Sequence, residues 1–168
     1  PALEACLPRV RHYPDTRSGE LTRALAEIHA VSPETIMVCN GSTELIYLLA
    51  RTLKIQKALI VIPAFSEYER ALTLAGVELG YVNTRREDGF SLARVPESGD
   101  AEMVFLANPS NPAGALMDPD MLTDLVAAMD SAGVVTVLDE AFIDFAEGFS
   151  FKNKLEQFSK LIIMRSFT

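Results

Sequence analysis

The sequence predicts an α/β fold: a mostly parallel β-sheet with helices on both faces, three layers in all. Three observations carry this. Runs that are apolar at nearly every position recur along the chain, at Leu59–Ile62, Met103–Ala107, Val134–Leu138 and Leu161–Met164; a strand apolar on both sides must be covered on both sides. Segments with apolar residues at helical spacing alternate with these runs. The 168 residues are 49% hydrophobic and 23% charged, which suits one sizeable core and excludes a disordered or low-complexity chain.

In chain order, Ser18–Ala30 reads as a helix through Leu21, Leu25 and Ile28, with Val31 just beyond. Ser32-Pro33-Glu34 is a turn, and Ile36–Cys39 a short strand. Thr43–Leu53 is helical, with Leu45, Leu48, Leu49 and Leu53 on adjoining faces. The strand Leu59–Ile62 stops at Pro63; Ser66–Leu74 is a helix ended by Gly76. Val77–Val82 alternates like a strand, and Asp88-Gly89 marks a turn. The strand Met103–Ala107 runs into an Asn-Pro-rich loop. Asp118 and Pro119 form an N-cap and N1 pair, opening a helix that runs to about Ala132 and ends at Gly133. Val134–Leu138 and Leu161–Met164 are the last two strands.

Composition excludes several classes. Fifteen basic against 23 acidic residues give a net charge of −8, the wrong sign for sequence-independent nucleic-acid binding. Cys6 and Cys39 are too few for a disulfide scaffold and are expected as buried free thiols of a reducing compartment. The apolar runs are too short to span a bilayer, and no signal peptide is expected in the opening residues. His12 and His29 have no cysteine at metal-ligand spacing, so no metal site is expected. Neither a G-x-S-x-G elbow nor a G-x-G-x-x-G or G-K-[ST] loop occurs. The chain begins at Pro1 and stops at Thr168 straight after a strand-like run, so both ends are expected to be cut.

In a parallel sheet ligands sit at the carboxyl ends of the strands, and five places stand out there. Gly41 precedes a helix whose first amides, with the Ser42 and Thr43 hydroxyls, suit a phosphate; a plain helix cap accounts for the same residues. Asp139 ends a buried strand, where a carboxylate needs compensation. A protonated heteroaromatic nitrogen would supply it, and so would a turn amide or an arginine. Phe65 could stack on a planar ligand or simply join the core. Asn111 could bond a ligand oxygen or only start a turn. Ser166 offers a hydroxyl just past the last strand.

Taken together and in order, these pieces resemble the fold-type I pyridoxal-phosphate enzymes of the class I/II aminotransferase superfamily. The matching runs are Tyr13-Pro14-Asp15, Asn40 to Glu44, Pro63 to Tyr68, Asn108 to Gly114, Asp139 to Phe145 and Arg165 to Thr168. Within the superfamily the chain is similar to the branch of histidinol-phosphate aminotransferase and threonine-phosphate decarboxylase. The resemblance implies pyridoxal 5'-phosphate as cofactor and an amino acid, with or without a phosphate, as substrate. It implies that Gly41, Ser42 and Thr43 hold the cofactor phosphate and that Phe65 stacks on the ring. Asn111 would bond its phenolic oxygen, Asp139 its protonated nitrogen, and Ser166 the phosphate again. Tyr13 would reach the phosphate in a neighbouring subunit, which implies a homodimer; the location expected is the cytoplasm.

Two departures accompany the resemblance. Phe142 stands where aminotransferases of this group have a tyrosine, which tilts the expectation toward the decarboxylase. The family's Schiff-base lysine would be the residue directly after Thr168, so no catalytic residue is expected within this chain. Its five lysines, Lys54, Lys57, Lys152, Lys154 and Lys160, are all expected toward the edge of the sheet away from the ligand. Residues 1–31 are expected as a segment leading into the cofactor domain and 32–168 as the N-terminal part of that large domain, without the C-terminal domain. The alternative is a non-catalytic fragment that binds a phosphorylated ligand or serves assembly.

Overall fold

The computed structural model describes residues 2–11 and 13–167. It divides into two compact units between Cys39 and Asn40. The first contains α1 (Ala2–Cys6), a 3-10 turn at Leu7–Arg11, α2 (Gly19–His29) and a second 3-10 turn at Pro33–Thr35. Asp15 organises the approach to α2. Its carboxylate accepts from the amides of Arg17 (3.0 Å) and Gly19 (2.7 Å), and these backbone bonds hold its pKa below the ordinary value.

Two expectations fail in this unit. Ile36–Cys39 is not a strand. Its backbone is extended at Ile36, but a strand exists only through ladder bonds to a neighbour, and every strand of the sheet lies beyond Asn40. Neither cysteine is in a disulfide, but neither is buried. Cys6 is exposed at the end of a five-residue helix, and Cys39 is half-buried in the extended connector.

The second unit holds one five-stranded sheet: β1 (Lys57–Ile62), β2 (Glu78–Asn83), β3 (Met103–Ala107), β4 (Val135–Asp139) and β5 (Leu161–Met164). The order is β2-β1-β3-β4-β5, and every adjacent pair is parallel. α3 (Ser42–Thr52) precedes β1, α4 (Ser66–Leu74) joins β1 to β2, and α5 (Pro119–Ser131) lies between β3 and β4. From β1 the chain steps one way along the sheet, and from β3 the other way. Crossovers of one hand taken in opposite directions put their helices on opposite faces.

The core shows this split. Ala58, Ile60, Met103, Phe105, Val137 and Met164 pack with α3 and α4. Val61, Val104, Leu106, Leu138 and Leu161, from the opposite face of the same strands, pack with Leu122, Leu125, Val126 and Met129 of α5. Each strand thus sends alternate residues into two cores, which is why the runs read as apolar throughout. Local signals end the helices where the sequence places them. Asp118 Oδ1 accepts from the amides of Asp120 and Met121, both at 3.0 Å. Past α5, Gly133 takes a φ of +76°, a conformation that costs a side chain dearly and glycine nothing. Between β4 and β5 run two 3-10 segments, Ile143–Phe149 and Phe151–Gln157, in place of a long helix.

Candidate functional site

Parallel strands bring their carboxyl ends to one edge. Across the register, Ala107 faces Asp139 and Asp139 faces Met164. The loops after β1, β3, β4 and β5 therefore leave from the same side, carrying Phe65, Asn111, Asp139 and Ser166.

Asp139 is the last residue of β4 and is only 7% exposed. Its face of the strand is that of Val137, toward α4. From the first turn of α4 the fully buried Tyr68 donates its hydroxyl to Asp139 Oδ2 at 2.5 Å, and the amide of Ala141 donates to Oδ1 at 2.9 Å. Burial raises the Asp139 pKa above the ordinary carboxylate value, and the bonds from Tyr68 and Ala141 oppose that rise. The phenol of Tyr68 is likewise pushed up, by burial first and then by the Asp139 charge. Both donors to the carboxylate are neutral, and among the described residues no side-chain cation pairs with it.

Phe65 is the N-cap residue of α4 and stands edge-on to Tyr68, with ring centroids 5.8 Å apart. Tyr68 in turn stacks on Phe105 of β3 at 5.0 Å. Phe65 is half-buried and packs against the α3/α4 core, so one part of its ring is committed and another is open.

Gly41 is the N-cap of α3, with φ +84° and ψ 159°, and no side chain caps the helix start. A Cβ built on Gly41 would meet nothing within 4 Å, so the space beside Gly41 itself is open. Ser42 is half-buried and Thr43 exposed. The Glu44 side chain folds back to accept from the Asn40 amide at 2.5 Å and fixes the turn. The middle of α3 is tied to α4 by the Tyr47 hydroxyl, which donates to Glu67 Oε2 at 2.9 Å. Two adjacent residues of α4 thus link the helix pair to the sheet: Glu67 bonds Tyr47 of α3, and Tyr68 bonds Asp139 of β4.

The loop after β3 is braced by Asn108, whose buried Oδ1 accepts from the Met117 amide at 2.8 Å, and by Ser110, whose amide donates to the Ala115 carbonyl at 2.7 Å. Asn111 sits half-buried at the turn of this loop. Ser166 is half-buried just past β5. Tyr13 belongs to the first unit, where it is fully exposed.

The lysines do not all follow expectation. Lys57 opens β1 at the far edge and pairs with Glu78 (3.1 Å) and Asp100 (2.7 Å), and Lys160 precedes β5. Lys152 is the exception. It pairs with Glu147 at 2.5 Å, and Glu147 also holds Arg165, the first residue past β5, at 2.7 Å. The 3-10 path between β4 and β5 folds back toward the carboxyl edge and carries Lys152 with it. That lysine is spent in an ion pair. Among the described residues no cluster of His, Cys, Asp and Glu is arranged to hold a metal.

Two features escape a reading of the residues alone. One is Tyr68; its only local signal is its place three positions after Phe65 on a helix start. The other is the buried Glu140, which accepts from Ser150 Oγ (2.7 Å) and the Phe151 amide (2.6 Å) and faces Arg165 at 3.7 Å. Burial raises its pKa, and those partners oppose the rise.

An all-parallel sheet with a buried acid at one strand end, and a glycine-led helix start in the same unit, is the frame of a cofactor-binding α/β enzyme domain. The model of the family "Aminotransferase class I and II" matches residues 7–168, and the chain belongs to that family. It is 37% identical over 147 residues to threonine-phosphate decarboxylase of Salmonella typhimurium, covering 86% of this chain and 40% of that protein. It is 32% identical over 157 residues to histidinol-phosphate aminotransferase of Pyrococcus furiosus, covering 93% and 45%. Among solved structures, L-threonine-O-3-phosphate decarboxylase from Porphyromonas gingivalis superposes with a TM-score of 0.81 at 26% identity, over 98% of this chain and 49% of that one. The chain spans somewhat under half the length of the curated relatives it matches.

Proposed function

We propose that the protein is a pyridoxal 5'-phosphate enzyme that transforms an amino acid, and that residues 40–168 hold the cofactor. The cofactor is that of the family. The observation that carries the reading is Asp139: a buried carboxylate at the strand ends whose hydrogen-bond donors are both neutral. A buried acid of this kind calls for a cation, and a protonated pyridine nitrogen is one. The open space over Gly41 fits the other end of the molecule.

When bound, pyridoxal phosphate supplies an electron sink for the pair left as a bond to the substrate α-carbon breaks. The side chain of Asp139 holds a proton on the ring nitrogen and so keeps the ring cationic. The Ser42 and Thr43 amides and hydroxyls, at the positive end of the α3 dipole, take the phosphate. Ser166 adds a contact to it. Phe65 covers a ring face and keeps water off, and Asn111 orients the phenolic oxygen. Tyr13 serves the phosphate in a neighbouring subunit of a homodimer in the cytoplasm.

The substrate is a small phosphorylated amino compound of the kind named in the relatives. Phe142, 43% exposed after β4, brings no hydroxyl to the site. That favours decarboxylation over transamination, in line with the 35% and 37% identity to two threonine-phosphate decarboxylases.

The test is a titration of the full-length protein with pyridoxal 5'-phosphate, followed by visible absorbance. Saturable binding is expected, weakened at least about tenfold by Asp139→Ala, since a lost charge-assisted contact is worth about 1.5 kcal/mol or more. An absence of saturable binding would end the reading.

A further inference from the structure

Asp139 is held by a phenol whose direction is fixed from two sides. Tyr68 is fully buried. Its ring stacks on Phe105 with planes 23° apart and meets Phe65 at 88°. A buried hydroxyl needs a partner, and this one has Asp139 Oδ2.

The charged surroundings of Asp139 leave Tyr68 alone in this position. On α4, Glu67 is engaged by Tyr47 and Arg70. On β3 and β5 the flanking residues are Ala107 and Met164, which carry no charge. The next residue, Glu140, is turned to Ser150, Phe151 and Arg165. Of the side chains described, only Tyr68 bonds Asp139. A carboxylate has about four acceptor sites. Two are filled here, one on each oxygen, so both oxygens keep capacity for a further donor.

We propose that Tyr68 is a positioning residue: its O–H keeps Asp139 ionised and fixed in orientation, with acceptor capacity left for a cationic ring nitrogen. This rests on the reading of Asp139 as the partner of the cofactor ring. Burial alone would leave the carboxyl prone to take up a proton, and a protonated Asp139 offers a ring nitrogen no charge. The Tyr68 hydroxyl opposes that without bringing a positive charge that would repel the ring. Because the phenol is itself pushed above its ordinary range, it stays a donor wherever the protein is folded.

The experiment follows the carboxyl carbon of Asp139 by 13C NMR across a pH titration of the full-length, cofactor-free protein, with Asp139→Asn to assign the signal. Tyr68→Phe keeps both ring contacts and removes only the donor; the Asp139 midpoint is expected to rise by about one pH unit. Incorporation of 3-fluorotyrosine, a stronger donor, is expected to lower it, and this arm stands if Tyr68→Phe does not fold. Phe105→Leu, which loosens the stack but keeps the hydroxyl, serves as the control and leaves the midpoint in place. An Asp139 midpoint unmoved by both changes at Tyr68 overturns the proposal.

A second arm measures pyridoxal 5'-phosphate affinity against pH. In Tyr68→Phe the acid limb is expected to move to higher pH by the shift seen in NMR. A uniform loss at every pH would assign Tyr68 a merely structural role and overturn the proposal. If the wild-type protein bound no cofactor at any pH, the cofactor reading would fail; a moved NMR midpoint would still uphold the control of Asp139 by Tyr68.

Discussion

Glu140 and Arg165 stand 3.7 Å apart at the ends of β4 and β5, and the carboxylate is wholly buried while the guanidinium is 19% exposed. Arg165 also binds Asp144 and Glu147 and donates to Ser150. Through Ser150 and Phe151, Glu140 ties down the start of the second 3-10 segment. Removing one partner of such a pair leaves the other charge uncompensated. Arg165→Leu is expected to cost about 3 kcal/mol in urea unfolding. Glu140→Gln keeps an acceptor and is expected to cost about 1 kcal/mol.

Glu147 carries an acid-side stability effect. Arg165 first and Lys152 next pull its pKa from 4.5 down to about 2. The folded value lies below the unfolded one, so the contribution is complete above about pH 4.5 and is lost as pH falls toward about 2. The difference in melting temperature between wild type and Glu147→Gln is expected to be constant above pH 5 and to shrink below it. The side chain is 43% exposed, so added salt should reduce the difference.

Asp139 works in the opposite sense. Its folded pKa is raised from 3.8, by burial, so the folded state binds the proton more tightly than the unfolded chain does. Stability from this group is therefore greatest at low pH and declines as pH rises from about 3.8 through the folded value. Asp139→Asn removes the decline. In melting curves the variant is expected to gain on wild type as pH rises above about 3.8, while its affinity for pyridoxal 5'-phosphate falls, a trade of function for stability.

Gly41→Ala tests the helix start. The new methyl meets nothing within 4 Å, but the backbone sits at φ +84°, so strain alone should cost about 1–2 kcal/mol. A backbone that relaxes away from that conformation would move the Ser42 and Thr43 amides. Affinity for pyridoxal 5'-phosphate is expected to drop about tenfold, the worth of one good anion contact, while binding of pyridoxal, which has no phosphate, changes little.

Much of the frame is legible in the residues. Met103–Ala107 and Leu161–Met164 are strands over the very residues that read as apolar, and Ser66–Leu74 is a helix over its expected span. Each is bounded by a local signal: a proline, a glycine or a charge. Asp139 is placed correctly at a strand end because the run before it is unbroken. What is not legible is pairing. Ile36–Cys39 has the composition of a strand, but composition does not say whether a neighbour exists. The 3-10 stretches from Ile143 to Gln157 have no 3.6-residue period, and Phe145 within them is 90% exposed, so neither periodicity nor burial marks them. The Tyr68–Asp139 bond joins residues 71 positions apart, and no local pattern encodes it.

That long loop has a kinetic meaning. The acid's one side-chain donor sits on α4, between β1 and β2, whereas the acid itself ends β4, on the far side of β3 from β1 in the sheet. Until β4 zips onto β3 the carboxylate is solvated and the phenol has no mate, so no partly assembled intermediate can offer a preformed receptor. Ligand competence should thus appear late in refolding, in step with consolidation of the central strands.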